Sequence, residues 1–154
     1  MTQVVSTMIE VCVFKFENDQ PRYLLLKRRK DEKLYPGIWQ YITGSIDGNE
    51  KAVDAALREL QEETSIPPQH FWVVPFINSF YDPVYDRVNM LSLFLAQVRP
   101  AEVPVLSLEH DEFAWLSYDH ARRELVWPGQ REGLRIVHEF IIQGEKATKL
   151  NQIQ

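Results

Sequence analysis

Residues Gly44–Ile66 read GSIDGNEKAVDAALRELQEETSI, and within them Arg58-Glu59-Leu60-Gln61-Glu62-Glu63 places three carboxylates in five residues. The apolar spacing of Val53, Ala56, Leu57 and Leu60 predicts an amphipathic helix. On a wheel of about 100° per residue these four form the core stripe, with Glu59, Glu62 and Glu63 together on one flank. Like charges three and four residues apart cost a helix about 0.2–0.5 kcal/mol per pair. A solvated face relieved by Lys51 and Arg58 is the competing reading, but Glu62 and Glu63 have no basic residue three or four places on. Hard carboxylate oxygens gathered at the edge of a core stripe suit Mg²⁺ or Mn²⁺. Gly48, which tolerates positive φ, and Asn49, a good N-cap, are expected to open the helix.

The same residues resemble the signature of the Nudix hydrolases: a Gly, five residues, a Glu, seven residues, then Arg-Glu-aliphatic-any-Glu-Glu-any-Gly-aliphatic. Gly44, Glu50, Arg58, Glu59, Leu60, Glu62, Glu63 and Ile66 occupy those places, and Ser65 stands where the family has Gly. That Gly ends the helix in left-handed backbone, and Pro67-Pro68 is expected to enforce the stop instead. The resemblance implies an α+β domain, an α/β/α sandwich around a mixed β-sheet. It also implies metal ligation by Glu62, Glu63 and the Gly44 carbonyl, with Glu59 as a further ligand or as the acceptor of the water's proton. Arg58 is expected to pair with a neighbouring carboxylate, and Glu50 to act structurally near the helix start. The family often recruits a later acid. Here Glu109 is the first candidate and Glu112 the second, which makes Glu59, Glu62 and Glu109 the catalytic candidates. His110 is read as a loop hydrogen-bonding residue.

Outside the motif, Lys27-Arg28-Arg29-Lys30 ends a predicted strand. Alternation sends Arg28 to one face and Lys27 and Arg29 to the other. Arg28 and Arg29 are candidates for clamping terminal phosphates bidentately, against a solvated strand end. Trp39, Gln40 and Tyr81 are candidates for stacking on and hydrogen-bonding a heterocycle, against the commoner use of aromatics in a core. Trp39–Ser45, Glu109-His110, Phe113–Leu116 and Trp127–Arg131 are similar to the dihydroneopterin triphosphate pyrophosphatase branch. That likeness implies cleavage of a (deoxy)nucleoside or pterin triphosphate to the monophosphate and pyrophosphate. A dinucleoside polyphosphate or nucleotide-sugar hydrolase is the alternative. A non-catalytic nucleotide sensor is the alternative of a different class, and the intact acids speak against it.

With 154 residues the chain suits one domain, and its net charge of −5 provides no general basic footprint for a nucleic-acid polymer. Cys12 is the only cysteine, so no intrachain disulfide forms, which fits a reducing cytoplasm. The N-terminus lacks the marks of a signal peptide, and no apolar run is long enough to span a bilayer. Strands are expected over Met8–Phe16 and Arg22–Arg29 as a hairpin, then Ile38–Thr43, Phe71–Tyr81, Val88–Arg99 and Phe113–Leu116. Ser117 is expected to cap a short helix over His120–Leu125. A last helix should run from Pro128 to Ile142, with Leu134, Val137, His138 and Ile141 as its buried stripe. Residues 144–154 read as a flexible tail. A homodimer is one candidate assembly.

Overall fold

The computed structural model describes residues 1–154. Apolar and β-branched residues build two long central strands, β1 (Gln3–Glu17) and β2 (Gln20–Arg28). Asn18 and Asp19 join them with φ of 49° and 61°, the left-handed pair that a tight hairpin turn demands and that Asn and Asp tolerate. Short β3 (Trp39–Gln40) and β4 (Ile42–Ser45) lead into helix α1 (Ala52–Thr64). Next come β5 (His70–Asp82), β6 (Arg87–Gln97), β7 (His110–Leu116), α2 (Tyr118–Glu124) and α3 (Pro128–Ile136). A π-helical turn (Val137–Ile142) extends α3, and α4 (Glu145–Leu150) follows.

The seven strands form one mixed sheet. β1 runs parallel to β6 and antiparallel to β2 and β4, β5 pairs antiparallel with β6, and β3 and β7 both pair with β2. Strand alternation gives the sheet two apolar faces. Ile9, Val11, Val13, Leu24, Leu26 and Ile42 pack with Ala55, Ala56 and Leu60 of α1. Cys12, Phe14, Tyr23, Leu25, Tyr41 and Leu93 pack with Leu134, Val137 and Ile141 beyond the opposite face. This is the α/β/α sandwich that the sequence implies. No helix is long and apolar enough to cross a membrane.

Four details differ from expectation. The core stripe of α1 is rotated: Glu59 and Glu63 are buried with Ala55, Ala56 and Leu60, whereas Val53 and Leu57 are only partly buried. Polar partners from elsewhere in the fold make that burial tolerable. Helix α1 starts at Ala52 with Lys51 as its N-cap, so Asn49 does not cap it. Asn49 lies instead in a turn closed by the Glu50 N–H on the Asp47 carbonyl at 2.8 Å and the Asp47 N–H on the Glu50 carboxylate at 3.0 Å. Ser65 itself adopts the left-handed conformation at φ 59°, its N–H donating to the Gln61 carbonyl at 2.9 Å, so the helix ends without the glycine.

Residues 144–154 form α4 and return to the sheet rather than trailing free. Trp72 Nε1 donates to the Thr148 carbonyl at 2.8 Å, and the Phe71 N–H donates to the Gln154 carbonyl at 2.6 Å. The Phe71 bond, with that from the Val73 N–H to the Asn151 carbonyl at 3.0 Å, satisfies backbone groups along β5 that an edge strand leaves open.

Candidate active site

Strands β1 and β4 place Gly44 opposite Ile9, immediately ahead of the turn into α1. The carboxylate of Glu59 lies directly over Gly44, where a Cβ would overlap it. A glycine is therefore required for the helix acid to reach the strand, independently of any backbone angle. Arg58 locks this junction. Its guanidinium donates to Glu50 at 2.9 and 3.0 Å, to Glu59 at 3.1 Å, to Glu62 at 3.3 Å and to the Ser45 carbonyl at 2.8 Å. The Arg58 hydrogen bond holds the Glu50 carboxyl below its ordinary range, and Glu50 raises the Arg58 guanidinium further. Glu62 stays at the solvent rim, its side chain 55% exposed.

One turn on, Glu63 is only 5% exposed and is held from a different direction. Its Oε2 accepts from Ser107 Oγ at 2.7 Å and from His110 Nδ1 at 3.0 Å. The other ring nitrogen of His110, Nε2, lies 3.0 Å from Gln40 Nε2. An amide nitrogen only donates, so His110 Nε2 accepts and its proton sits on Nδ1, facing Glu63. Burial pushes the Glu63 carboxyl up, but the bonds from His110 and Ser107 outweigh it and leave Glu63 below the ordinary range. Burial raises Glu59 despite its bond to Arg58. Burial and the neighbouring Glu63 charge likewise raise Glu109.

Ligand atoms of Glu63, Glu109 and His110 lie within 4.8 Å of one another. Both nitrogens of His110 are already engaged, so the open donors are oxygens: Glu63 Oε1, which accepts no hydrogen bond from the chain, and the Glu109 carboxylate. Hard oxygen donors on α1 and on the loop before β7 fit Mg²⁺ or Mn²⁺. The Glu109 carbonyl accepts from the Arg29 N–H at 3.1 Å, which ties the loop to the end of β2.

The other candidates separate clearly. Arg28 and Arg29 line an open hollow of about 640 Å³ with Asp31, Glu32, Lys33, Leu34 and Leu108. Arg28 lies on the Glu63 side of the sheet, bonded to the Leu34 carbonyl at 2.9 Å, and Arg29 pairs with Asp31 at 3.0 Å. Glu112 points away, 3.9 Å from Lys27, and does not join Glu63. Gln40 is buried, its side-chain amide bonded to His110 Nε2 at 3.0 Å. Trp39 packs in the opposite core under Lys27. Tyr81 sits near the β5–β6 tip, bonded to Asp86 at 2.9 Å and opposite Val88, which pairs with Val4 far along β1 from Ile9 and Gly44.

The contributions of Ser107 and Gln40 were not read from the sequence. The spacing Ser107–His110, with a donor at each end of a short loop reaching one acid, was the available signal.

Helix-borne acids beside an arginine-lined hollow, on this sandwich, suit hydrolysis of a phosphate anhydride. The chain belongs to the Nudix hydrolase family: residues 7–136 match the NUDIX domain model. It is 29% identical over 127 residues to the dihydroneopterin triphosphate diphosphatase of Escherichia coli (strain K12), covering 74% of this chain and 81% of that protein. It is also 29% identical over 134 residues to an octanoyltransferase of Myxococcus xanthus, covering 82% of this chain but only 35% of that longer protein. A C. elegans Ap4A hydrolase binary complex superposes with a TM-score of 0.75 at 19% identity, covering 90% of this chain and 99% of that one.

Proposed function

We propose that this enzyme cleaves a (deoxy)nucleoside or pterin triphosphate to the monophosphate and pyrophosphate. The observation that carries the reading is the meeting of Glu63 and Glu109 within 4.8 Å, between the Arg58-locked acids of α1 and the hollow lined by Arg28 and Arg29. Glu59, Glu62, Glu63, Glu109 and the Gly44 carbonyl would hold Mg²⁺ or Mn²⁺. When bound, the ion supplies charge neutralisation on the phosphate oxygens and a more acidic water.

Water attacks one phosphorus, its proton passes to a carboxylate, and the phosphoanhydride bond to the departing pyrophosphate breaks. Glu59 and Glu109, both held above the ordinary carboxylate range, are suited to take that proton. Glu63, held below that range by His110 and Ser107, is suited to stay ionised as a ligand. Arg28 and Arg29 on the hollow's wall would receive the terminal phosphates once their loop partners yield.

Product analysis tests this. With Mg²⁺ the enzyme should release pyrophosphate and a monophosphate from triphosphates of a nucleoside and a pterin. Release of two nucleotides from a dinucleoside polyphosphate, with triphosphates untouched, would overturn it.

A further inference from the structure

The central sheet guards its open edges unevenly. β7 pairs only with β2, and it carries the exposed acids Asp111 and Glu112, charges that deter the addition of another strand. β5 pairs only with β6, and the closing segment of the chain covers the first part of its free edge. There Gln152 bridges Trp72 in the antiparallel sense, and the Ile153 N–H donates to the Phe71 carbonyl at 2.7 Å. The Val73 N–H donates to the Asn151 carbonyl at 3.0 Å. Beyond Val73 no strand covers this edge.

The register shows which backbone groups stay open there. Alternate residues of an antiparallel strand direct their N–H and C=O groups to opposite sides. Phe71 and Val73 face the free edge, as their bonds to the closing segment show. The pairing with β6 then steps from Val73–Phe94 to Ile77–Ser92. Phe94 and Ser92 lie two residues apart and share one direction, so Ile77 shares that of Val73. Ile77, Ser79 and Tyr81 therefore turn their N–H and C=O groups to the free edge.

Proline closes this series at both ends. Pro75 precedes it and Pro83 follows it, and neither has an N–H to offer. Phe76–Tyr81 between them holds no charged residue, in a chain of net charge −5. Ile77, Phe80 and Tyr81 are 49%, 45% and 54% exposed, and Met90, paired with Ser79, is 39% exposed. The Tyr81 hydroxyl donates to Asp86 at 2.9 Å, which holds its ring in place.

The two prolines lie equally far from Ser79. An antiparallel copy of the same stretch, centred on Ser79, sets Ser79 opposite itself, Ile77 opposite Tyr81 and Pro75 opposite Pro83. Every open N–H and C=O of Ile77, Ser79 and Tyr81 then finds a partner, and pairing stops where neither chain has a donor. Two acidic copies repel over most of their surfaces, and this uncharged strip lets them approach.

We propose that this stretch of β5 is the surface through which a second copy of the chain binds, about a two-fold axis at Ser79, so that two sheets become one. Ile77 of each copy meets Tyr81 of the other, the β-branched and aromatic pairing that favours strand association. A strand pair of this length, with its flanking side chains, buries no more than the roughly 800 Å² per partner of a standard interface. The dimer is therefore a reversible one, with a Kd of about 1–100 μM. This surface stands apart from the hydrolytic reading and does not depend on it.

Sedimentation equilibrium of the full chain across that concentration range tests the proposal. The wild type should pass from monomer to dimer and no further. Ser79→Lys sets two like charges against each other on the axis and should weaken association about tenfold or more at low salt, and Ser79→Asp should do the same. Ser79 is exposed, so both variants should keep the wild-type circular dichroism spectrum. An equal mixture of the two variants should restore the dimer, because each lysine then faces an aspartate.

A wild type that stays monomeric throughout would overturn the proposal, as would a dimer that Ser79→Lys leaves intact. Failure of the mixed variants to associate more tightly than either alone would overturn the two-fold register. Should Ser79→Lys not fold, Ile77→Lys against Tyr81→Asp supplies the same charge pairing at the neighbouring position.

Discussion

The two faces of the central sheet bury carboxylates in opposite ways. On the α1 face, Glu59 and Glu63 meet a guanidinium, an imidazole N–H and a hydroxyl, and they keep company with the less buried Glu62 and Glu109. On the α3 face, Glu10 meets only neutral amides, and its carboxyl is pushed toward the protonated form. The first arrangement concentrates negative charge with oxygens left open, which suits a cation. The second surrounds one acid with neutral donors, which offsets its burial without gathering charge. Burial alone therefore says little about what an acid does, and the donors around it decide.

The largest expected effect breaks the α1 side of this contrast. Glu59→Gln should lower kcat by about 10²–10⁴-fold in a Mg²⁺-dependent pyrophosphate-release assay, with the fold intact by circular dichroism. Next in size is His110→Ala. Loss of the bond that orients Glu63 should weaken Mn²⁺ binding about 10–100-fold, and His110→Asn, which can still donate from its side chain, should recover part of the loss.

The α3 side is probed by pH. Between the ordinary carboxylate value near 4.5 and the raised value of Glu10, the folded chain holds a proton that the unfolded chain has released. The folded state then binds more protons, so this group makes stability fall as pH rises through that window, by up to about 1.4 kcal/mol per pH unit. Urea unfolding across that range should show the slope in the wild type and a flatter curve in Glu10→Gln. The smallest effect lies at the end of α1. Ser65→Gly should stabilise the protein by about 0.5–1 kcal/mol in the same urea measurement, because the left-handed conformation at φ 59° costs Ser more than Gly.

The acid motif was legible because its chemistry is local: Gly44, Arg58, Glu59, Glu62 and Glu63 lie within half a dozen helical turns of chain. The strands and both helical layers followed from alternation and apolar spacing for the same reason. The helical wheel failed where local hydropathy opposed long-range partners. It put Glu59 and Glu63 on the flank because it could not foresee His110 and Ser107 reaching Glu63 from the loop before β7, or Gly44 making room for Glu59. Gln40 looked free to meet a ligand for the same reason, since the ring that claims it lies 70 residues on. The closing segment looked disordered because it is polar, yet Trp72 and the open backbone of β5 give it bonds that composition does not reveal.

On the proposed reading, the α1 acids and Glu109 form one cation site with Glu63 as an ionised ligand. Mn²⁺ titration followed by electron paramagnetic resonance tests it without any substrate. The wild type should bind Mn²⁺, and Glu63→Gln should weaken that binding about tenfold or more while leaving the melting profile cooperative. Mn²⁺ binding by Glu63→Gln as tight as that of the wild type would remove Glu63 from the cation site.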